Sequence, residues 1–108
     1  MRSGYLNKRI TIQELTDARD ETGGVVKSWT QVCKAWASIE PLKGAEFLSA
    51  KEVDAQVTTR IRMRQRKDVE ITSDMRVVYG SRIFEIDSVI DVYTRGRELQ
   101  LMSRELVG

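Results

Sequence analysis

Residues 75–87 read MRVVYGSRIFEID and decide the fold class. Two short apolar runs, Met75–Tyr79 and Arg82–Asp91, flank the dipeptide Gly80-Ser81. A two-residue connection with glycine first is typical of a type II′ turn, which joins antiparallel strands. Phe84 and Ile86 alternate with acidic residues, so we expect both side chains to lie in the core.

The same alternation extends outward to four more segments, which are Asn7–Glu14, Val25–Glu40, Ala55–Arg66 and Arg97–Arg104. Apolar residues at every second position predict half-buried strands. In the second segment the small apolar residues Cys33, Ala35, Ala37 and Ile39 are expected to face inward. The pattern loses its phase near Thr30–Val32, which indicates a β-bulge or a bend.

Two segments break the alternation. Thr16–Gly24 is polar and acidic and ends in two glycines, so we interpret it as a long loop. Gly44–Val53 has a short apolar side and is the one helical candidate. Together these elements predict one all-β domain over residues 1–108, a small antiparallel β-barrel or sandwich of about six strands with one short α-helix and long polar loops.

Composition excludes most catalytic chemistry. The 108 residues contain no histidine and a single cysteine, Cys33. Histidine is the commonest general base and metal ligand, and one thiol can form neither an intramolecular disulfide nor a thiolate metal cage. We therefore expect no enzyme activity, no metal and no cofactor. No apolar run approaches the ~20 residues of a membrane span, so no membrane contact is expected.

The strongest charge pattern is an arginine row on one face of a predicted strand, formed by Arg60, Arg62, Arg64 and Arg66. Three explanations are open: contacts to nucleic-acid phosphates, pairing with acidic groups of neighbouring strands or of another subunit, and a solvated edge that discourages strand addition. Single-stranded nucleic acid favours interleaved aromatic side chains, and the row has none. Pairing between strands or subunits is therefore the preferred interpretation.

Trp36 is a second candidate interface residue. If Ala35 and Ala37 face the core, the indole faces outward with polar neighbours, like the aromatic anchor of a protein–protein interface. The alternatives are that a bulge turns Trp36 inward, or that the helix covers it.

Five stretches occur in an order and spacing that resemble one protein family: KRITIQ at 8–13, DExGGx4W at 20–29, AWASIEPLxGxE at 35–46, MRVVYGxRIFxI at 75–86 and RELxL at 97–101. Together they look like the head–tail joining proteins of tailed bacteriophages, also called head-closure, stopper or adaptor proteins. The similarity extends from about Leu6 to Met102. No catalytic residue is carried over, because the family has none.

The resemblance implies a structural virion protein, assembled in the host bacterial cytoplasm. It implies a homo-oligomeric ring, expected to be dodecameric, that closes the DNA-filled head below the portal and its adaptor. The tail terminator or tail tube would then dock on this ring, and packaged DNA would pass close to it. A different class of function stays open from the residues alone, which is a monomeric oligonucleotide-binding barrel that uses Arg60–Lys67.

Charge distribution suggests how such a ring would assemble. The acidic loop carries Asp17, Asp20 and Glu21, and the arginine row is purely basic. Opposite charges on two different surfaces orient neighbouring subunits. The hypothesis is that the row meets acidic groups of an adjacent subunit or a head-side partner, with the loop as one candidate. The alternative is pairing inside the same barrel, against Glu85, Asp87 or Glu98.

Overall fold

A computed structural model of the chain describes residues 6–45, 48, 57–92 and 98–106. The described residues form six strands, which are β1 (Lys8–Arg19), β2 (Val25–Pro41), β3 (Thr59–Arg64), β4 (Met75–Tyr79), β5 (Arg82–Asp91) and β6 (Glu98–Leu106). Every pair of neighbouring strands is antiparallel. The prediction of an all-β fold with about six strands is confirmed.

The sheet closes on itself in the order β1-β2-β3-β6-β5-β4. Closure depends on the pairing of β1 with β4, which runs from Thr11 opposite Val78 to Glu14 opposite Met75. Of the two architectures that the sequence allowed, the chain therefore adopts the barrel. Along the length that the six strands share, closure also removes the edge strands that an open sheet of this size would expose.

The barrel interior is filled by the inward-facing residues of all six strands. The largest side chains without solvent exposure are Phe84, Ile10, Ile12, Ile61, Met63, Leu101 and Val77. Phe84 and Ile86 lie in this core, as their alternation with acidic residues predicts. Their strand begins after a tight turn, in which Gly80 has a φ of 59° and Ser81 does not have a positive φ. This pattern matches the predicted type II′ turn.

The predicted bulge lies between β1 and β2. Ile12 is opposite Cys33, but the next residue, Gln13, is opposite Gln31. Val32 is thus the extra residue of β2, inside the stretch where the sequence loses its alternation. A bulge of this kind increases the local twist of the ribbon.

The segment Thr16–Gly24, which the sequence predicts to be a loop, is strand over residues 16–19 and a turn only over residues 20–24. β1 continues to Arg19, and pairing with β2 continues to Val25. Cross-strand contacts hold this polar region in place, among them a hydroxyl contact of 2.5 Å between Thr16 and Thr30. The prediction was wrong for residues 16–19, because a polar strand whose two faces both meet water lacks apolar alternation. We call this projecting hairpin, residues 15–29, the arm.

Two predicted elements fall largely outside the described residues. Only Gly44, Ala45 and Leu48 of the predicted helix over 44–53 are described, and the predicted turn over 93–96 is not described at all. Within the part of the chain that the structure describes, no helix is long and apolar enough to cross a membrane.

The buried position of Phe84 generates a stability prediction. Phe84→Ala removes a side chain with no solvent exposure, so we expect the free energy of unfolding to fall by about 3–5 kcal/mol. Urea unfolding monitored by circular dichroism measures the change. Ile90→Ala, at an exposed position of the same strand, is the matched control and should cost well under half as much. Equal losses for both variants would contradict the assignment of faces on β5.

Candidate interaction surfaces

The arginine row lies on the outer face of β3, as the alternation predicts. Thr59, Ile61 and Met63 are buried, whereas Arg60 and Arg62 are partly exposed and Arg64 is exposed. Neighbouring strands supply carboxylates to this face, because β3 pairs with β2 on one side and with β6 on the other. The like charges of the row therefore have compensating groups beside them.

Arg62 and Arg60 are paired with carboxylates inside the same barrel. Arg62 Nη2 lies 3.2 Å from Oε1 of Glu98, and Arg62 Nη1 lies 3.7 Å from Oε2 of Glu40. Arg60 Nη1 lies 3.6 Å from the other oxygen of Glu40. Glu98 is only 2% exposed, which makes its pairing with Arg62 the most enclosed ion pair of the row. Pairing within the barrel, the alternative to subunit contact, thus accounts for Arg60 and Arg62, with Glu98 as the foreseen partner.

Glu40 is a partner that the sequence reasoning missed. It lies opposite Arg60 in the register between β2 and β3, and no local motif marks that contact. Two other proposed partners behave differently. Glu85 forms an ion pair with Arg104 across β5 and β6, and Asp87 lies on β5, which is separated from β3 by β6. Only the strand order, which brings β6 beside β3, could have singled out Glu98 in advance.

Arg66 lies just beyond β3 and joins two segments. Its guanidinium donates two hydrogen bonds to Asp68, at 3.0 and 2.8 Å, and a third at 2.6 Å to the backbone oxygen of Lys34. The two bonds from Arg66 to the Asp68 carboxylate hold the pKa of Asp68 below its ordinary value. The contact also attaches the chain after β3 to the outer edge of β2.

Asp17 and Asp20, which the sequence places in an acidic loop, are engaged within the arm. Asp17 lies 2.6 Å from Nζ of Lys27 on the opposite strand. The carboxylate of Asp20 accepts bonds from the hydroxyl and backbone N–H of Thr22 and from the N–H of Gly24. The hydrogen bond from the Thr22 side chain and that from Gly24 lower the pKa of Asp20. Glu21 is exposed at the tip, and none of the three is brought to the arginine row by a described contact.

Trp36 faces solvent on the outer face of β2, as its alternation with Ala35 and Ala37 predicts. Its side chain is 53% exposed, and the guanidinium of Arg9 lies 5.2 Å from the centre of the ring. Such a cation–π contact orients the indole without covering it. The orientation of Trp36 is therefore confirmed, and its role in an interface stays a prediction.

An open groove brings Trp36 together with the end of the arginine row. It runs between the outer edge of β2 and the chain that follows β3, and its lining includes Trp36, Arg9, Lys34, Arg64, Arg66 and Asp68. The sequence gives no signal for this grouping, because its members come from three separate segments. Cys33 lies at the floor of the groove, where burial raises the pKa of its thiol and so disfavours the reactive thiolate. Among the described residues, no three His, Cys, Asp or Glu side chains cluster as metal ligands would.

A second aromatic cluster lies at the base of the arm. The guanidinium of Arg76 on β4 lies 4.1 Å from the ring centre of Trp29, and its Nε donates to Oε1 of Gln13 at 2.8 Å. These contacts attach the β2 strand of the arm, and β1 just before the arm, to β4. Trp29 and Leu15 are opposite each other on one face of the arm and both remain exposed.

Comparison with known proteins gives consistent results for sequence and structure. A family model described as phage head completion protein matches residues 1–106. Head completion protein gp7 of Enterobacteria phage HK97 is 34% identical over 80 residues, which are 74% of this chain and 71% of the phage protein. The solution structure of protein SF1141 from Shigella flexneri 2a is 31% identical, with a TM-score of 0.76 over 97% of this chain and 96% of that chain. A chain from the virion of a native gene transfer agent particle has the same fold, with a TM-score of 0.61, 19% identity and coverage of 94% and 96%.

The enclosed pair of Arg62 and Glu98 generates a prediction about stability. Arg62→Glu removes the cation between two carboxylates and adds a third negative charge, so we expect unfolding free energy to fall by about 2 kcal/mol or more. Thermal melting measures the loss. Lys67→Glu makes the same change of charge at an exposed position and is the control. The double variant Arg62→Glu with Glu98→Arg exchanges the two charges and should recover part of the lost stability. Equal stability of Arg62→Glu and the Lys67→Glu control would contradict the pairing.

The lowered pKa of Glu105 predicts how stability depends on pH. Hydrogen bonds from Arg82 at 2.8 and 2.9 Å lower that pKa from its usual 4.5. A lowered pKa in the folded state adds stability above about pH 4.5, and this stability is lost as pH falls through the folded value. Glu105→Gln should therefore melt below the wild type at neutral pH, and the two melting temperatures should converge in acid. A difference in melting temperature that widens as pH falls would contradict this prediction. Glu70→Gln, at an exposed position, is the control.

Proposed function

Because this chain belongs to the phage head completion protein family, we propose that it forms a homo-oligomeric ring at the portal vertex of a tailed phage. The ring closes the DNA-filled head and provides the platform on which the tail assembles. Membership of this family makes the chain a structural component of the virion. The ring and its two attachments are the proposal.

The partners in this proposal lie above and below the ring. On the head side the ring meets the portal or its adaptor, and on the tail side the terminator or tube protein. We expect the ring to contain twelve copies. Packaged DNA is close to the ring only transiently. The chain has no catalytic role in this scheme, which the structural nature of the family supports.

The observation that carries the proposal is the apolar surface of the arm. The arm extends beyond the strands that pair with β4 and β3, and four of its large side chains are exposed, namely Leu15, Val25, Val26 and Trp29. A two-stranded ribbon has only marginal stability in water by itself. Exposed apolar side chains on such a ribbon are typical of a surface that is buried in an assembly.

The position of the arm also supports a ring rather than a two-fold dimer. A ring needs each subunit to present two different surfaces, one to each neighbour. The arm offers a ribbon with exposed apolar side chains, and the barrel offers the outer face of β3, where arginines are paired with glutamates of the neighbouring strands. An arm that contacts the barrel of the next copy would repeat this contact around a closed circle.

Leu15 and Val25 provide the test, because the arm alternation places both on the face that carries Trp29. Leu15→Ser with Val25→Ser should leave the barrel folded but reduce head–tail joining about tenfold or more, because the apolar contact of the arm with its neighbour is lost. Joining is measured by complementing a phage that lacks this protein and by counting tailed particles and infectious titre.

Ile90→Ser with Val92→Ser is the matched control, since both residues are exposed and apolar but lie outside the arm. The control should support joining nearly as well as the wild type. Full joining by the arm variant, with a melting temperature that shows it to be folded, would contradict the proposal. An equal defect in both variants would show that the arm has no special role.

A further inference from the structure

β2 has a long edge that no described strand covers. On one side β2 pairs with β1 from Val25 to Ala37. On the other side it pairs with β3 only from Ala37 to Pro41, because β3 ends at Arg64. Residues 25–36 of β2 thus have one paired edge and one edge without a strand partner in the described part of the chain. An uncovered strand edge is a template for the addition of another strand.

The groove described above runs along this edge at Gln31–Trp36. Its floor is apolar and includes the buried Leu6 and Cys33 and the partly buried Val32 and Ala35. Its rim is basic, because it contains Arg9, Lys34, Arg64 and Arg66 and only one acidic residue, Asp68. Asp68 is held by Arg66, so the groove as a whole favours an anionic guest.

Backbone groups of β2 point into the groove. Arg66 Nη1 donates to the carbonyl oxygen of Lys34, which shows that this carbonyl faces the open edge. In an antiparallel strand the N–H and C=O of one residue point to the same side, and the direction alternates along the chain. The backbone groups of Trp36 therefore point to the open edge as well, one step before the first residue that pairs with β3.

We propose that this groove binds an extended acidic segment of another protein, which adds as a strand to the open edge of β2 at Gln31–Trp36. The main chain of the segment bonds backbone groups at this edge, chiefly those of Trp36, because the Lys34 carbonyl already accepts a bond from Arg66. The side chains of the segment alternate between two environments. One set carries carboxylates to Lys34 and Arg64 beside the indole of Trp36. The other set is apolar and packs on Val32 and Ala35.

A peptide fits these observations better than a nucleic acid does. A phosphate backbone needs cations spaced along its path, and the arginine row would continue that path through Arg62 and Arg60. Both of these side chains are paired with Glu40 or Glu98, so the basic surface ends at the groove. A strand edge and an apolar floor are features that a peptide uses and a phosphate backbone does not.

The inference rests on the proposed function only for the source of the segment, which would be another protein of the particle. Its chemistry can be tested on the isolated protein. The probe is a synthetic peptide of alternating valine and glutamate, about six residues long to match the edge. Amide resonances of Lys34 and Trp36, and the indole N–H of Trp36, report binding in two-dimensional NMR spectra. A peptide with lysine in place of glutamate is the control ligand.

Arg9→Glu with Lys34→Glu is the test variant, and Arg19→Glu with Lys43→Glu makes the same change of charge outside the groove. We expect the glutamate peptide to shift the groove resonances of the wild type and of the control variant. The affinity of the test variant for the glutamate peptide should fall about tenfold or more. The lysine peptide should bind neither the wild type nor the control variant at the groove.

Three results would overturn the inference. These are no shift of the groove resonances at saturating glutamate peptide, equal binding of the glutamate and lysine peptides, and displacement of the glutamate peptide by a short thymidine oligonucleotide that binds more tightly. The last result would assign the groove to single-stranded DNA. Because none of these measurements involves ring assembly, failure here and failure of head–tail joining by the arm variant are separate outcomes.

Discussion

The unequal lengths of the strands are the constraint on which the rest of the structure depends. β1 has 12 residues and β2 has 17, whereas β3 has 6 and β4 has 5. A barrel closes only along the length that all its strands share, and here β4 pairs with β1 over four positions. The surplus of β1 and β2 forms the arm, and the surplus edge of β2 forms one wall of the groove. Both proposed contact surfaces therefore arise from the same mismatch.

The charges on the outer face are arranged so that the barrel tolerates its arginine row. Glu40 and Glu98 reach the row from the two strands beside β3, and Glu98 is nearly enclosed. Removing one member of such a pair costs far more than the pair itself contributes, because a charge is left without its partner in a poorly solvated place. The first half of the row, Arg60 and Arg62, is thus mainly a structural feature of the barrel. The second half of the row, at Arg64 and Arg66, borders the groove.

Alternation along the chain predicted the parts of the fold that have one buried face. Local sequence was enough to predict the burial of Phe84 and Ile86, the turn at Gly80 and the bulge near Val32. Each of these features follows from the pleat of a strand or from the conformation of glycine. The arm was not predicted, since neither face of its β1 strand meets the core and the alternation is lost. The contacts of long-range partners such as Glu40 and Arg76 could not be predicted either, because strand register and strand order create them. The groove was missed for the same reason, although the outward orientation of Trp36 was foreseen.

The central claim is that this chain acts as a ring at the portal vertex, with its arm buried between copies. Electron cryomicroscopy of the neck of assembled particles tests it most directly. We expect a closed ring of barrels below the portal, in which the exposed face of the arm, with Leu15 and Trp29, contacts the neighbouring copy. A neck in which the barrels are absent, or in which every arm stands free of neighbouring protein, would contradict it.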